Sequence, residues 1–506
     1  MWKSVNSLMT ACGLARRQPD RSGSASVDPS SGLEEWLRWG PLALPPEEAV
    51  QHFAAVGATG SGKTTVLRLL LQDVVPAIRA GSNARMLIFD PKQDVVPLLR
   101  GINPRAPFVI TNPFDQRGAA WDLARDVKEP RVAIEMAITL IPREHESQPF
   151  FSDAARHLLG GVLTSFMWRK LDFSFGDVLR GLTSARLLKR VLWACPHTRH
   201  LIGWYFYDKK LVGNVLSTIA TKVAAYMPIA ACWDTATSKF SIEDWIKNEY
   251  VLVLGCSETS RHTIDAINGC IFKRACDLTL DQRDSKTRRS WFVIDEVSEA
   301  GKLSGLGPLA KKGRSKGAAV VLALQSIEGL RHPSSFGPQL AADILGQIGH
   351  RFIGRLECPE TAVWASKLIG DQEIRQITVS HSYSRESSTT VNESIVIRPA
   401  LLPSEFLTLP TCDPTNGLSA IYACRNQPGV IVNTLLGHQL FSEDLIPLAD
   451  KIPGFIPRPP ESQYLRKWTP GEEAVFAPEP PDKGSTRQKK PPSDDLNGLL
   501  DGMDDL

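Results

Sequence analysis

Short unbroken apolar runs alternate with amphipathic stretches along most of the chain. Phe53–Val56, Met86–Phe89, Phe108–Ile110, Val251–Leu254, Phe292–Ile294 and Ala319–Leu324 hold three to six residues each. Runs this short, apolar on both faces, suit inner strands of a parallel sheet covered by helices. The helical patterns between them complete a βαβ order, so the expected class is α/β.

The middle of the chain reads differently. Ala154/Ala155, Leu158/Leu159, Val162/Leu163 and Phe166/Met167 recur at helical spacing, as one buried helix face requires. Leu187, Leu188, Val191 and Leu192 repeat the theme before Pro196, and Val212, Val215, Leu216, Ile219 and Val223 predict a third helix. Residues 125–248 therefore read as an all-α insertion in a core formed by 41–124 and 249–450. Glu35 to Trp39 suggests a short helix and 360–369 another, closed by Gly370. The Ser/Thr-rich stretch 378–394 reads as mobile. Ile421-Tyr422 and Val430–Val432 flank Asn426–Gly429 as in a hairpin.

Both ends differ in composition. Residues 1–40 read as a flexible lead-in, with Ser, Gly, Asp and Pro concentrated over 18–34. Residues 451–506 read as a proline-rich linker and disordered tail, whose last stretch, Asp494 to Leu506, has five Asp and no base. Two fates fit that stretch equally: a solvated tail, or a docking peptide built on Leu496, Leu499, Leu500, Met503 and Leu506.

Length and composition narrow the class. The chain has 506 residues, enough for two or three structural units. Apolar content of 42% and charged content of 22% fit a globular cytosolic protein. A net charge of +3 does not announce a nucleic-acid partner, which would need a local basic surface. Nine scattered cysteines without a CxxC pair argue against a disulfide framework or structural zinc. No apolar run approaches a membrane span; Val66–Leu71 and Ala318–Leu324 are core-sized. Leu8–Cys12 has a faint lipoprotein-cleavage pattern, but the apolar region before it is too short for a signal peptide.

Chemistry enters at Gly57-Ala58-Thr59-Gly60-Ser61-Gly62-Lys63-Thr64, between the strand Phe53–Val56 and a helical run from Val66. Strand, glycine loop, Lys-Thr and helix form a P-loop. Its backbone N–H groups, from Gly57, Thr59, Gly60, Ser61 and Gly62 through Thr65, turn toward phosphate oxygens, helped by the helix dipole. Lys63 reaches the β- and γ-phosphates and the Thr64 hydroxyl ligates Mg²⁺. A second acid is needed. The run Trp291–Ile294 ends at Asp295-Glu296. Asp295 would hold Mg²⁺ through water, and Glu296 would orient or activate the attacking water. Gln325, at the end of the run Ala319–Leu324, would sense the γ-phosphate or orient water. Lys311, Lys312, Arg314 and Lys316 make a basic glycine-containing loop. It serves either as a solvated turn or as a phosphate contact, to DNA or to a neighbouring subunit's nucleotide. No Asn-Lys-x-Asp guanine reader is present, and Leu303–Gly307 lies on the wrong side of Asp295-Glu296 for an ABC signature. The default nucleotide is ATP, with Mg²⁺.

These residues resemble a known group. Gly57–Thr65, Asp90–Asp94, Asn112–Asp115 with Trp121-Asp122, Asp295-Glu296, Gly313–Gly317 and Leu324-Gln325 are similar to the TraD/TraG-type coupling proteins of conjugative type IV secretion. Pro149–Arg156 resembles the start of their all-α domain, and the likeness spans roughly residues 40–440. The resemblance implies a RecA-like P-loop core with a mostly parallel sheet, related to FtsK and HerA motors. It implies a hexameric ATPase that translocates DNA, single-stranded in transfer, and hands relaxase-bound DNA to the secretion channel. Lys63, Thr64, Asp295 and Glu296 keep their roles. Gln325 matches the motif after the acidic strand, and Arg314 matches an arginine that reaches a neighbour's nucleotide. The family carries N-terminal membrane helices, and none is legible here. The expected location is therefore cytoplasmic, peripheral at the inner membrane through a partner. Two alternatives stand beside this one: a HerA/FtsK-like DNA pump or protein-secretion ATPase, and a non-hydrolysing adaptor that recruits the relaxosome.

Overall fold

The computed structural model describes residues 36–142, 149–300, 303–333, 335–382, 388–426 and 430–476. The lead-in before residue 36 and the acidic stretch 494–506 lie outside the described residues.

A nine-stranded sheet organises the core. Its spatial order is Ile431–Leu435, Leu418–Cys424, His350–Ile353, Phe53–Val56, Ala318–Leu324, Arg289–Ile294, Ala84–Asp90, Val251–Gly255, Phe108–Ile110. The seven strands from His350–Ile353 to Phe108–Ile110 pair in parallel; only Leu418–Cys424 runs the other way between its two neighbours. The apolar runs make these strands for the expected reason. Phe53–Val56, Ala84–Asp90, Val251–Gly255, Arg289–Ile294 and Ala318–Leu324 are buried at every residue. Alternate residues feed two cores. Ala54, Val56, Leu322 and Leu324 join one face, while Phe53, Ala55, Val321 and Ala323 join the face that carries the helix Lys63–Ala77. This is the RecA-like α/β arrangement, with helical insertions.

Between Leu123 and Trp245 the elements are helices, apart from the two-residue strand Lys239–Phe240. That strand pairs in parallel with Ala120–Trp121, so the chain enters and leaves the helical block side by side. The helix Phe150–Trp168 is its axis, burying Ala154, Ala155, Leu158, Leu159, Val162, Leu163 and Phe166. One helical run, 209–234, is long and apolar enough to cross a membrane by length and composition. It is interrupted at Ala224–Tyr226, and its Val215, Ile219, Val223 and Ile229 are buried in the block.

Three stretches depart from the pattern-based expectation. Leu37–Trp39 is a strand, not a helix, paired with Leu42–Leu44. Leu37 and Trp39 are buried while Arg38 faces Asp73, a period of two that overrides a short helical signal. Residues 378–382 and 388–394 belong to a two-stranded ribbon, Asp371–Ser382 with Ser388–Pro399, while 383–387 lie outside the described residues. Ile377, Val379, Val391, Ile395 and Ile397 stand exposed on one side of it. The proline-rich stretch from Pro453 is, as far as Phe476, a strap laid on the protein. Arg458 donates to the carbonyls of Pro113 and Gly118 at 2.8 Å each, and Trp468 and Phe476 pack on Phe166. Its prolines remove N–H donors, but side chains supply the bonds instead.

Candidate nucleotide site

The strand Phe53–Val56 delivers the glycine loop to the carboxyl edge of the sheet. Neighbouring strands pin the loop on both sides. Gly57 N donates to Leu324 O at 3.0 Å, and Ala58 N donates to Arg355 O at 2.7 Å. Gly62, at φ +95°, turns the chain into the helix that starts at Lys63. A side chain there would be strained, and its Cβ would sit 2.1 Å from Leu418. The loop 411–417 lies against the outside, where Cys412 N donates to Gly60 O at 2.7 Å.

Lys63 is buried and folds back on the loop, donating to Gly57 O at 2.7 Å and Ala58 O at 3.0 Å. Burial lowers its pKa, while Glu296 and then Asp295 oppose the shift. The lysine of one motif thus feels the carboxylates of the other, 232 residues on by number (295 − 63). Thr64 and Asp295 line one cleft of about 70 Å³, with Arg68 and Asp94 beside them. Asp295 Oδ1 is buried without a hydrogen-bond partner, and Lys92 stands 3.9 Å from Oδ2. Burial raises the Asp295 pKa despite Lys92. An orphaned carboxylate oxygen on a residue that shares a cleft with a P-loop threonine is a donor set that fits a Mg²⁺ ion.

Glu296 is buried and adopts φ +70°, unusual for a residue with a side chain. Two donors hold its carboxylate: Ser298 Oγ to Oε1 at 2.7 Å, and Gln325 Nε2 to Oε2 at 3.0 Å. The topology explains the second contact. The strand ending at Gln325 lies between the P-loop strand and the acidic strand, which places the amide between Lys63 and Glu296. Glu296, Ser298, Gln325 and Ser326 line an adjoining cavity of about 120 Å³. Asp90, at the end of the strand on the other side of the acidic strand, is pushed up to about 7 by burial and by Asp94. Its oxygens accept the N–H groups of Asp94 and Val95.

Thr59, Gly60, Ser61, Thr64 and Thr65 take their expected places in the loop and the first helical turn. Arg314 does not join them within the chain. It opens the turn Arg314–Lys316 just before the strand Ala318–Leu324, at the end opposite Gln325. Seven strand residues put it roughly 20 Å away. Of the basic cluster around it, Lys311 pairs with Asp343 at 2.6 Å and Lys316 with Asp284 at 2.8 Å. Pattern reasoning missed Ser298, Lys92 and Arg355. The available signal was position: each stands at or just beyond a strand's carboxyl end.

A parallel sheet with a P-loop and an acidic strand one strand removed defines a RecA-like P-loop nucleotide-binding domain. The family described as type IV secretion-system coupling protein DNA-binding domain matches residues 37–419, and the chain belongs to it. The coupling protein TraD of Escherichia coli (strain K12) is 22% identical over 370 residues, 70% of this chain and 48% of that protein. The chain therefore spans about half the length of that curated relative. The unbound monoclinic form of the conjugative coupling protein TrwBdeltaN70 superposes with a TM-score of 0.65 at 20% identity, covering 84% of this chain and 92% of that one. The plasmid coupling protein TrwB in complex with ADP and Mg²⁺ covers the same shares at 20% identity, with a TM-score of 0.64.

Proposed function

We propose that the chain is an ATP- and Mg²⁺-dependent DNA motor that passes relaxase-bound DNA to a type IV secretion channel. The observation that carries this is the shared cleft: Thr64 and Asp295 line it together, Lys63 feels Glu296 and Asp295, and Gln325 holds Glu296. Family membership and a TrwB relative solved with ADP and Mg²⁺ support the nucleotide and the setting.

When bound, Mg²⁺ would be held by Thr64 and Asp295 and would neutralise phosphate charge. The chain's own groups do the rest. The loop N–H groups of residues 57–65 bind the phosphates. Lys63 leaves the carbonyls of Gly57 and Ala58 and turns to the β/γ oxygens, offsetting the charge that builds during cleavage. Glu296, released by Gln325 and Ser298, orients water for in-line attack. Gln325 then has a free amide with which to register whether a γ-phosphate is present.

The working unit is a homo-hexamer in this proposal. Arg314, too far from its own nucleotide, serves the neighbour's site across the subunit boundary. The functional divisions are the core 41–124 with 249–450, the helical insertion 125–248 and the tail 451–506. The motor works at the cytoplasmic face, joined to the inner membrane through partners. The test is hydrolysis with and without single- and double-stranded DNA across a salt series. DNA should raise turnover, and salt should erase the stimulation because phosphate contacts release counterions. Turnover indifferent to DNA but raised by a protein substrate would overturn the DNA assignment.

A further inference from the structure

Seven described arginines have a buried guanidinium nitrogen without a hydrogen-bond partner. In six of them another nitrogen of the same guanidinium is bonded. Arg68, Arg85, Arg169 and Arg351 donate to backbone carbonyls, Arg289 to three of them, and Arg274 to the Glu243 carboxylate. Arg355 is the exception. Its Nε is buried and unpartnered, and its guanidinium has no carbonyl or carboxylate partner among the described residues. The residue is only partly buried, and a guanidinium with no fixed partner inside the protein is available to an outside anion.

Its position supplies the purpose. Arg355 follows the strand His350–Ile353, which flanks the P-loop strand on the side away from Gln325. The Arg355 carbonyl accepts the Ala58 N–H at 2.7 Å, so its backbone is joined to the loop itself. The approach is close: a Cβ on neighbouring Gly354 would meet Ser61 O at 2.8 Å. An arginine side chain reaches about two extended residues' length, roughly 7 Å. That spans the distance from the loop's backbone to an anion held in it. A guanidinium also presents two parallel N–H groups that match phosphate oxygens.

We propose that Arg355 contacts the phosphates of the nucleotide bound in its own subunit, from the side of the loop opposite Gln325. This rests on the P-loop assignment above. Bound phosphate would give the guanidinium the partner it lacks. The site is then flanked by two strand-end side chains, an amide at 325 and a cation at 355, with Lys63 between them.

The test uses the full chain and measures binding of ADP and of a slowly hydrolysed ATP analogue, with turnover alongside. Arg355→Ala should weaken both nucleotides at least tenfold, and Arg355→Lys should recover part of the loss, which a packing role would not predict. Arg355→Met keeps the apolar stem and replaces the alanine variant if that one melts early. Arg355→Ala and Arg355→Met within twofold of the parent, while Lys63→Ala binds nothing, would overturn the inference alone. Should Lys63→Ala also bind normally, the P-loop assignment falls first. Mixing Lys63→Ala with Arg355→Ala subunits separates the geometries. No recovery of binding is expected when both residues serve one subunit's site, and recovery would refute the same-subunit contact.

Discussion

The two edges of the parallel sheet are built from the same strands but treat polar groups in opposite ways. At the amino edge each buried charged side chain keeps at least one partner inside the protein, although Ser290 Oγ and one nitrogen each of Arg85, Arg289 and Arg351 have none. His52 accepts the Val320 N–H on Nδ1 and donates from Nε2 to Ala310 O, each at 3.1 Å. Arg289 donates to the carbonyls of Lys286, Arg288 and Pro46, and Arg425 to Gln51. At the carboxyl edge the matching is left open. Asp295 Oδ1 has no partner, Arg355 has none, and Lys63 borrows carbonyls of its own loop. The buried charges of one edge are each held from within; at the other an aspartate oxygen and an arginine have no internal partner. The contrast therefore lies in whether a charged group has any internal partner, not in burial, since both edges are buried.

Substitutions at the two edges should therefore fail in different ways. Lys63→Ala at the carboxyl edge should lower hydrolysis more than a thousandfold, read by phosphate release, with the melting temperature near that of the parent. Normal turnover would erase the distinction. Glu296→Gln should still bind nucleotide but hydrolyse it about a hundredfold more slowly; loss of binding as well would mean the carboxylate is structural. His52→Ala at the amino edge should cost about 2 kcal/mol of stability, because it strands the Val320 N–H and leaves a cavity. Its nucleotide affinity should be unchanged, and a change would show that the edges communicate.

The smallest effect is on pH dependence. Burial holds Asp90 at about 7, above its unfolded value, so the folded state binds the extra proton. Its contribution to stability is present below about pH 4 and is lost as pH rises to 7. Asp90→Asn should flatten that decline by on the order of 1 kcal/mol or more relative to the parent, in denaturant titrations across the window. His52 sharpens the contrast. Burial lowers it to about 4, so it stays neutral and keeps accepting from Val320 throughout the physiological range.

Much of this architecture is visible in the residues because doubly buried strands leave little choice. Phe53–Val56 and Ala318–Leu324 can only be interior, and a glycine loop after one and an amide after the other mark the same edge. Asp295 and Glu296 are legible for the same reason. The ribbon of Asp371–Ser382 and Ser388–Pro399 is hidden by its exposure: its described side chains are solvated on both faces, so it lacks the burial that makes a strand announce itself. Its alternation of Ile377 and Val379 with Thr378 was the missed clue. The strap was hidden by its prolines, since composition reports missing donors but not the Arg458 and Trp468 side chains that replace them. Arg355 was invisible because one arginine after an apolar run looks like any other until the partners of all are compared.

The strap has a mechanical consequence. The helical block joins the core at the neck of Ala120–Trp121 with Lys239–Phe240 and along the helix Arg261–Leu280, where Lys273 pairs with Glu135 and Arg274 with Glu243. The crossing from Pro453 to Phe476 adds a further anchorage, fastened at one end to the Asp115 turn and at the other to the aromatic patch around Phe166. Anchorages on separate sides of the block resist its rotation. Any swing of the block must either peel the strap away or drag Gly454, and with it the Gln93 backbone it abuts, three positions from Asp90.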